Sequence, residues 1–111
     1  MVQLTQAGEA GASGRAGAPA GVQTMSYAAA AAAALADLMR ADESVVALGE
    51  DLGRGGIFGQ YRGLLETFGA ARVIDTPISE ATIAGSAVGM ALTGLKPVVE
   101  MRVVDFALCA M

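Results

Sequence analysis

Apolar and polar positions alternate in blocks along the chain, and these blocks predict helices and strands in turn. Three short runs have the length and composition of strands: residues 45–49, 72–75 and 97–101. Three segments have the apolar spacing or the composition of helices: residues 26–40, 61–68 and 80–93. Short, mainly apolar runs suit strands that are buried on both faces. The alternation therefore predicts an α/β fold, in which a parallel sheet carries flanking helices.

Serine and glycine mark the ends of the predicted helices. Ser26 and Ser79 precede helical segments and are predicted to cap them. Gly69 and Gly94 follow helical segments, and glycine commonly ends a helix. The glycine-rich residues 50–60 are predicted to form a loop.

The chain is expected to contain one incomplete domain after a tail. Residues 1–24 are rich in glycine and alanine and have no apolar periodicity, so we predict a disordered tail. They lack the apolar core of about 7–15 residues that a signal peptide needs, and Met25 is an alternative start of translation. Residues 106–111 begin a helical pattern without completing it. We therefore expect residues 25–111 to be the N-terminal part of a larger domain.

Composition and charge narrow the classes of function. The chain has 54% hydrophobic and 16% charged residues, which favours a buried core over disorder. Its net charge is −4 and it has no basic cluster, so neither nucleic acid nor an anionic membrane is an expected partner. The apolar run at residues 81–95 is shorter than the roughly 18 residues that a membrane-spanning helix requires. Since no targeting signal is recognised, we expect a cytoplasmic protein.

Two residue types limit the chemistry available to the chain. It has no histidine, which excludes histidine general bases and histidine metal ligands within it. Its single cysteine, Cys109, permits neither an internal disulfide nor a paired-cysteine metal site. We predict that Cys109 is a small core residue without special reactivity.

Glycines form two patterns that have competing interpretations. Residues 53–59, GRGGIFG, suggest phosphate binding, but they match neither the P-loop nor the dinucleotide-binding motif, and a flexible connector is favoured. Gly85 and Gly89 lie four residues apart on a predicted helix. Because glycine costs up to about 1 kcal/mol in a helix, a close helix contact would explain the pair, either within one domain or between subunits.

Acidic residues follow two of the predicted strands. Glu50 and Asp51 come after the first strand, and Glu80 follows the second one beyond a Thr-Pro turn. Ligand crevices of open α/β sheets lie beyond the carboxyl ends of strands, so all three are candidate site residues. A solvated loop also accounts for the first two, and helix N-terminal electrostatics also accounts for Glu80. The residues alone leave these interpretations open.

Longer stretches of the sequence resemble a known family. VVALGEDLG, GLLETFG, RVIDTPISEATIAGSAVGMALTGLKPVVE and DFALCAM resemble the N-terminal part of the β subunit of thiamine-diphosphate-dependent 2-oxo acid dehydrogenases. Pyruvate, branched-chain 2-oxo acid and acetoin dehydrogenases share this subunit, which belongs to the transketolase-like pyrimidine-binding superfamily. The similarity covers residues 25–111. It implies an incomplete transketolase-like pyrimidine-binding domain, and an oxidoreductase subunit that is not active as this fragment alone.

The resemblance also implies roles for individual residues. It makes Glu80 the catalytic glutamate, which contacts the aminopyrimidine ring of the cofactor and shares a proton with a ring nitrogen. The resemblance places four other residues near the cofactor: Glu50, Ile78, Phe106 and Arg102. In the family, the position of Glu50 is associated with proton relay. Arg102 stands where some relatives have an apolar residue. Gly85 and Gly89 match a helix that packs between subunits.

The assembly that the resemblance implies has several components. The β subunit pairs with an α subunit in an α2β2 heterotetramer, and the α subunit holds Mg²⁺ and the diphosphate of thiamine diphosphate. No metal site is therefore expected in this chain. The acyl group passes to a lipoyl group on the acyltransferase component. The alternatives are another transketolase-superfamily enzyme, or a truncated product that acts as a catalytically inactive interaction fragment.

Overall fold

A computed structural model describes residues 24–111 and gives their helices and strands. The helices are α1 (Tyr27–Ala41), α2 (Leu64–Phe68) and α3 (Glu80–Leu92). The strands are β1 (Val45–Gly49), β2 (Val73–Asp75) and β3 (Lys96–Val99). Two 3₁₀ helices span Leu52–Arg54 and Val104–Ala110. The tail predicted for residues 1–24 lies, apart from Thr24, outside the described residues.

The three strands form one parallel sheet in the order β2-β1-β3. β1 is central and all of its residues are buried, as expected for a strand covered on both faces. Gly49 at the end of β1 lies beside Asp75 at the end of β2, and Leu48 lies beside Val99 at the end of β3. The predicted α/β fold, a parallel sheet with flanking helices, is confirmed.

Two hydrophobic clusters cover opposite faces of β1. On one face, Val45 and Ala47 pack with buried residues of α1, α2 and β2. These partners are Leu35, Met39, Leu64 and Val73. On the other face, Leu48 packs with Ile83 and Ala87 of α3. Because successive side chains of a strand point to opposite faces, α3 packs on one side of the sheet, and α1 and α2 pack on the other side.

The caps of the two longer helices differ in detail. Ser26 caps α1 as predicted, because its hydroxyl accepts a hydrogen bond from the Ala29 N–H at 3.2 Å. Ser79 occupies the capping position of α3, but its side chain makes no capping hydrogen bond. Its hydroxyl instead donates to the Pro77 carbonyl at 3.0 Å. The turn before α3 is therefore stabilised within itself.

The short middle helix begins later than the sequence pattern predicts. It starts at Leu64 instead of residue 61, because Gly63 has a left-handed backbone with φ of 79°. A left-handed residue interrupts the repeating helical geometry. Gly69 follows the helix, as predicted.

The prediction that Cys109 is a core residue is wrong. Cys109 is exposed. It belongs to the Val104–Ala110 3₁₀ helix, which packs against α3 but contains no buried residue. Within residues 24–111, one side of this helix therefore remains open to solvent.

Arg72 joins the end of α1 to the sheet. Its guanidinium donates hydrogen bonds of 2.8–3.1 Å to the carbonyls of Met39, Asp42 and Val45. The ring of Phe68 lies 5.2 Å from the same guanidinium. The last carbonyls of a helix have no intrahelical partner. The Arg72 guanidinium therefore provides hydrogen bonds to carbonyls at the end of α1 and at the start of β1.

Replacing Arg72 with methionine is expected to lower the free energy of unfolding by roughly 2–3 kcal/mol, because charged donors to half-buried carbonyls are lost. Urea unfolding followed by circular dichroism would measure this change. The matched control is Arg54→Met, since the Arg54 side chain is 87% exposed and surface changes of this kind stay within about 0.5 kcal/mol. Equal unfolding midpoints for the two variants would contradict the assigned role of Arg72.

Candidate active site

Carboxylates collect where the parallel strands end. Glu50 and Asp51 follow β1, and Glu100 follows β3. β2 is followed by the Thr-Pro turn and by α3, whose first residue is Glu80. The carboxyl ends of parallel strands share one edge of the sheet, where ligand crevices of α/β proteins lie. The structure thus places the predicted acidic site residues on the same edge.

An arginine joins two of these carboxylates. Arg102 Nη1 lies 3.4 Å from Glu50 Oε2 and 3.1 Å from Asp51 Oδ2. Glu50 is only 6% exposed, whereas the Asp51 side chain is 35% exposed. A buried carboxylate is costly without a compensating charge. Within residues 24–111, the cation that pairs with Glu50 is Arg102.

Two residues that the sequence did not single out complete this group. The backbone N–H of Arg102 donates to Glu100 Oε1 at 2.9 Å. Burial of the Tyr61 phenol, followed by its hydrogen bond with Glu100 and the charge of that carboxylate, raises the pKa of Tyr61 above its usual range. Glu100 follows a predicted strand, so the rule that selected Glu50 would have found it too. Tyr61 had no comparable signal.

Gly49 allows β1 and the segment after β3 to approach closely. A Cβ atom added at Gly49 would lie 2.5 Å from Glu100 Cβ and 2.8 Å from the Glu100 carbonyl oxygen. The Gly49 carbonyl also accepts a hydrogen bond from the Thr76 N–H at 2.9 Å. This glycine therefore sets the spacing between the ends of all three strands.

Replacing Gly49 with alanine is expected to lower the free energy of unfolding by roughly 3 kcal/mol, because the new methyl group overlaps Glu100. Thermal and urea unfolding would measure the loss. Gly63→Ala is a matched control: Gly63 has φ of 79°, and no other atom of the described residues lies within 4 Å of a Cβ added there. That variant carries only the cost of a left-handed alanine, about 1 kcal/mol. If the Gly49→Ala variant were as stable as the control, the backbone at Glu100 would have to shift to accommodate the methyl group.

Glu80 lies half-buried at the first position of α3. The ion pairs within residues 24–111 all use other carboxylates. Four residues earlier, the Thr76 hydroxyl is buried and has no hydrogen-bond partner in this part of the chain. Buried hydroxyls normally have a partner. The turn between β2 and α3 therefore offers a carboxylate and a hydroxyl to a ligand.

Two apolar candidates, Ile78 and Phe106, are exposed. Ile78 lies within the turn and is 75% exposed. Phe106 is 41% exposed and belongs to the 3₁₀ helix that packs against α3. Exposed side chains of this size suit contact with a ligand or with another chain.

The two predicted interface glycines lie on an open side of α3. Gly85 and Gly89 are both exposed, and among residues 24–111 a Cβ atom added at either would meet nothing within 4 Å apart from the helix's own backbone. Within the described residues they therefore serve no close helix contact. The exposed residues Val88 and Leu92 lie on the same helix.

The glycine-rich loop is attached to the end of β2. The Gly53 N–H donates to Asp75 Oδ2 at 3.1 Å.

In the described part of the chain, no group of three or more His, Cys, Asp or Glu residues is placed to hold a metal ion. Among the helices of residues 24–111, none is both long and apolar enough to cross a membrane.

The fold defines the chain as an α/β domain whose candidate site lies at the carboxyl edge of a parallel sheet. The transketolase pyrimidine-binding domain family matches residues 23–111, and the chain belongs to this family. The family membership that the resemblance implied is thereby confirmed.

Several curated proteins are similar to the chain. The 2-oxoisovalerate dehydrogenase subunit beta of Bacillus subtilis is 44% identical over 90 residues, which cover 80% of this chain and 28% of that protein. The pyruvate dehydrogenase E1 component subunit beta of Acholeplasma laidlawii is 51% identical over 70 residues, covering 62% and 21%. The 3-methyl-2-oxobutanoate dehydrogenase subunit beta of Mycobacterium tuberculosis is 49% identical over 75 residues, covering 67% and 22%. The chain thus spans 21–28% of the length of these relatives.

Proposed function

We propose that residues 25–111 are the N-terminal part of the pyrimidine-binding domain of a β subunit. The subunit would belong to a thiamine-diphosphate-dependent dehydrogenase that acts on a 2-oxo acid or on acetoin. The proposal rests on one observation, the Glu80 carboxylate at the start of α3 beyond the end of β2. Membership of the transketolase pyrimidine-binding family and the names of the relatives support it.

The residues of the turn before Glu80, together with Phe106 from the 3₁₀ helix that packs against α3, have the chemistry that the aminopyrimidine ring of thiamine diphosphate requires. The ring carries nitrogen acceptors and an amino donor, so it requires polar partners at its edge and apolar contacts on its faces. Thr76 Oγ1 is buried without a partner in residues 24–111 and can satisfy one polar position. Ile78 and Phe106 are exposed apolar side chains that can cover the ring. A carboxylate at Glu80 completes this set of partners.

Thiamine diphosphate, when bound, supplies the electron sink for loss of carbon dioxide from a 2-oxo acid. Glu80 holds a proton at a nitrogen of the aminopyrimidine ring and so sets the protonation state of the ring. Ile78 and Phe106 keep water away from that proton, which strengthens the carboxylate contact. Glu50, buried at the same edge, passes protons between the site and its surroundings.

The proposal also assigns partners to the protein that contains this chain. An α subunit would hold the diphosphate and Mg²⁺, as the resemblance to the β-subunit family implies. Gly85 and Gly89 would pack against another subunit, because their side of α3 is open here. The acyl product would pass to the lipoyl group of an acyltransferase.

Reconstitution with the α subunit tests the proposed function. The protein that contains this chain is purified with its α subunit and assayed on pyruvate, 3-methyl-2-oxobutanoate and acetoin, with and without thiamine diphosphate. We expect turnover of at least one substrate that requires the cofactor and both subunits. A fully assembled complex that binds thiamine diphosphate but turns over none of the three would contradict the proposal.

A further inference from the structure

Two strained residues meet at the carboxyl edge of the sheet. Among residues 24–111, the non-glycine residues with positive φ are Asp51 at 57° and Arg102 at 61°. A left-handed backbone costs free energy for residues other than glycine, and such residues persist only where the surroundings require them. Asp51 and Arg102 are also the two ends of one ion pair, with Arg102 Nη1 at 3.1 Å from Asp51 Oδ2. Both residues with an unfavourable backbone conformation therefore take part in the same ion pair.

The same nitrogen compensates a buried charge. Arg102 Nη1 lies 3.4 Å from Oε2 of Glu50, which is the buried charged side chain of the described residues. Removing one partner of a buried ion pair leaves the other charge uncompensated and is strongly unfavourable. Within residues 24–111, the position of the Glu50 carboxylate thus depends on Arg102.

Arg102 is itself held in place from the other side. Its backbone N–H donates to Glu100 Oε1 at 2.9 Å. Glu100 also lies against Gly49, where an added Cβ would come within 2.5 Å of it. The backbone that carries the guanidinium is therefore fixed to the ends of β1 and β3.

Direct binding of an anion by Arg102 is disfavoured. Its guanidinium contacts the carboxylates of Glu50 and Asp51, and its own N–H contacts that of Glu100. An incoming phosphate or carboxylate would be repelled by these three negative groups, and the guanidinium already pairs with two of them. The surroundings of Arg102 favour a role that acts through its neighbours.

We infer that Arg102 is a positioning residue that holds the buried Glu50 side chain in one orientation at the carboxyl edge of the sheet. The inference rests on the proposed function, because it assigns Arg102 to the site in which Glu50 passes protons. A positioning residue acts on catalytic turnover through Glu50 and leaves cofactor affinity largely unchanged. A residue that binds the cofactor or the substrate would change affinity first.

The test uses Arg102→Met and Arg102→Lys in the complex with the α subunit. We expect Arg102→Met to lower kcat about tenfold or more, as is usual when the partner that orients a functional side chain is lost. The Kd of thiamine diphosphate, measured by calorimetry, and the KM of the substrate should change less than about threefold. Arg102→Lys retains the charge and should restore part of kcat.

A double-mutant cycle with Glu50→Gln separates a role through Glu50 from a general structural role. If Arg102 acts through Glu50, then Arg102→Met has little further effect on kcat in the Glu50→Gln background. Arg54→Met is the matched control, because Arg54 approaches Asp51 at 3.9 Å but does not pair with Glu50. That control should keep the kcat of the parent protein.

A crystal structure of the Arg102→Met complex decides the inference independently of activity. We expect the Glu50 side chain to leave its present position or to become disordered. An unchanged Glu50 side chain would overturn the inference, and so would fully additive effects in the cycle or a change confined to Kd or KM. A parent complex without turnover would count against the proposed function alone, since the crystal structure would still report on Glu50.

Discussion

Glu80→Gln is expected to lower turnover of the proposed dehydrogenase by at least about a hundredfold, because the variant loses the group that is proposed to position a proton. Glutamine keeps the size and the hydrogen-bonding capacity of the side chain but cannot take up the proton. The experiment measures kcat for the preferred 2-oxo acid or acetoin with saturating thiamine diphosphate. A binding measurement under the same conditions verifies that the cofactor is present.

The control for this variant tests whether Glu80 serves only to stabilise the N-terminus of α3. An acidic residue in the first turn of a helix is favoured by the helix dipole, by typically 0.3–1 kcal/mol. Glu66 occupies the first turn of α2 as Glu80 does that of α3, and it is exposed. Glu66→Gln should therefore change stability to a similar small extent and leave kcat unchanged. Near-normal turnover by the Glu80 variant would remove Glu80 from the catalytic role.

The order of helices and strands follows from local patterns that one sequence contains. A buried strand such as β1 has an unbroken apolar run, and α3 has a polar start and a glycine end. The ends of short elements depend instead on single backbone conformations. The left-handed φ of Gly63 shortened α2 in this way. Glycine tolerates such a conformation without requiring it, so the sequence alone could not locate that boundary.

The acidic residues of the site could be predicted, but their connections could not. Glu50 and Glu80 stand after strands, and a rule about the edges of parallel sheets selects them. The ion pair between Glu50 and Arg102 joins residues far apart in the chain. It depends on the register between β1 and β3 and on the unusual backbone at Arg102. Neither property has a local signature, so only the folded chain shows the contact.

Cys109 illustrates why burial is harder to predict than secondary structure. An apolar sequence around a cysteine indicates a core position only if another element covers it. The 3₁₀ helix that contains Cys109 packs on α3 and has no buried residue within the described chain. The open side of α3, with Gly85 and Gly89, presents the same situation on a longer helix. Both surfaces gain a physical explanation if another subunit covers them.

Substitutions at Gly85 and Gly89 would reveal such a subunit, because alanine should raise the stability of the chain whereas leucine should weaken its assembly. Alanine at both positions should stabilise α3 within this chain, by about 0.5–1 kcal/mol per site, since it is the better helix former. In the part of the chain that the structure describes, no neighbouring atom lies within 4 Å of the added Cβ atoms. Leucine at both positions should prevent another subunit from approaching the helix backbone and should weaken assembly with the α subunit by at least about tenfold.

Sedimentation of the double leucine variant over a range of concentrations measures that loss of assembly. Ala34→Leu is the control, because it adds an exposed leucine to α1 without changing α3. Normal assembly of the double leucine variant would show that this side of α3 faces solvent in the complete protein. The glycines would then have no packing role, and their cost to the helix would need another cause. Loss of assembly in this variant alone, with stable folding of the double alanine variant, would identify the open side of α3 as the subunit contact.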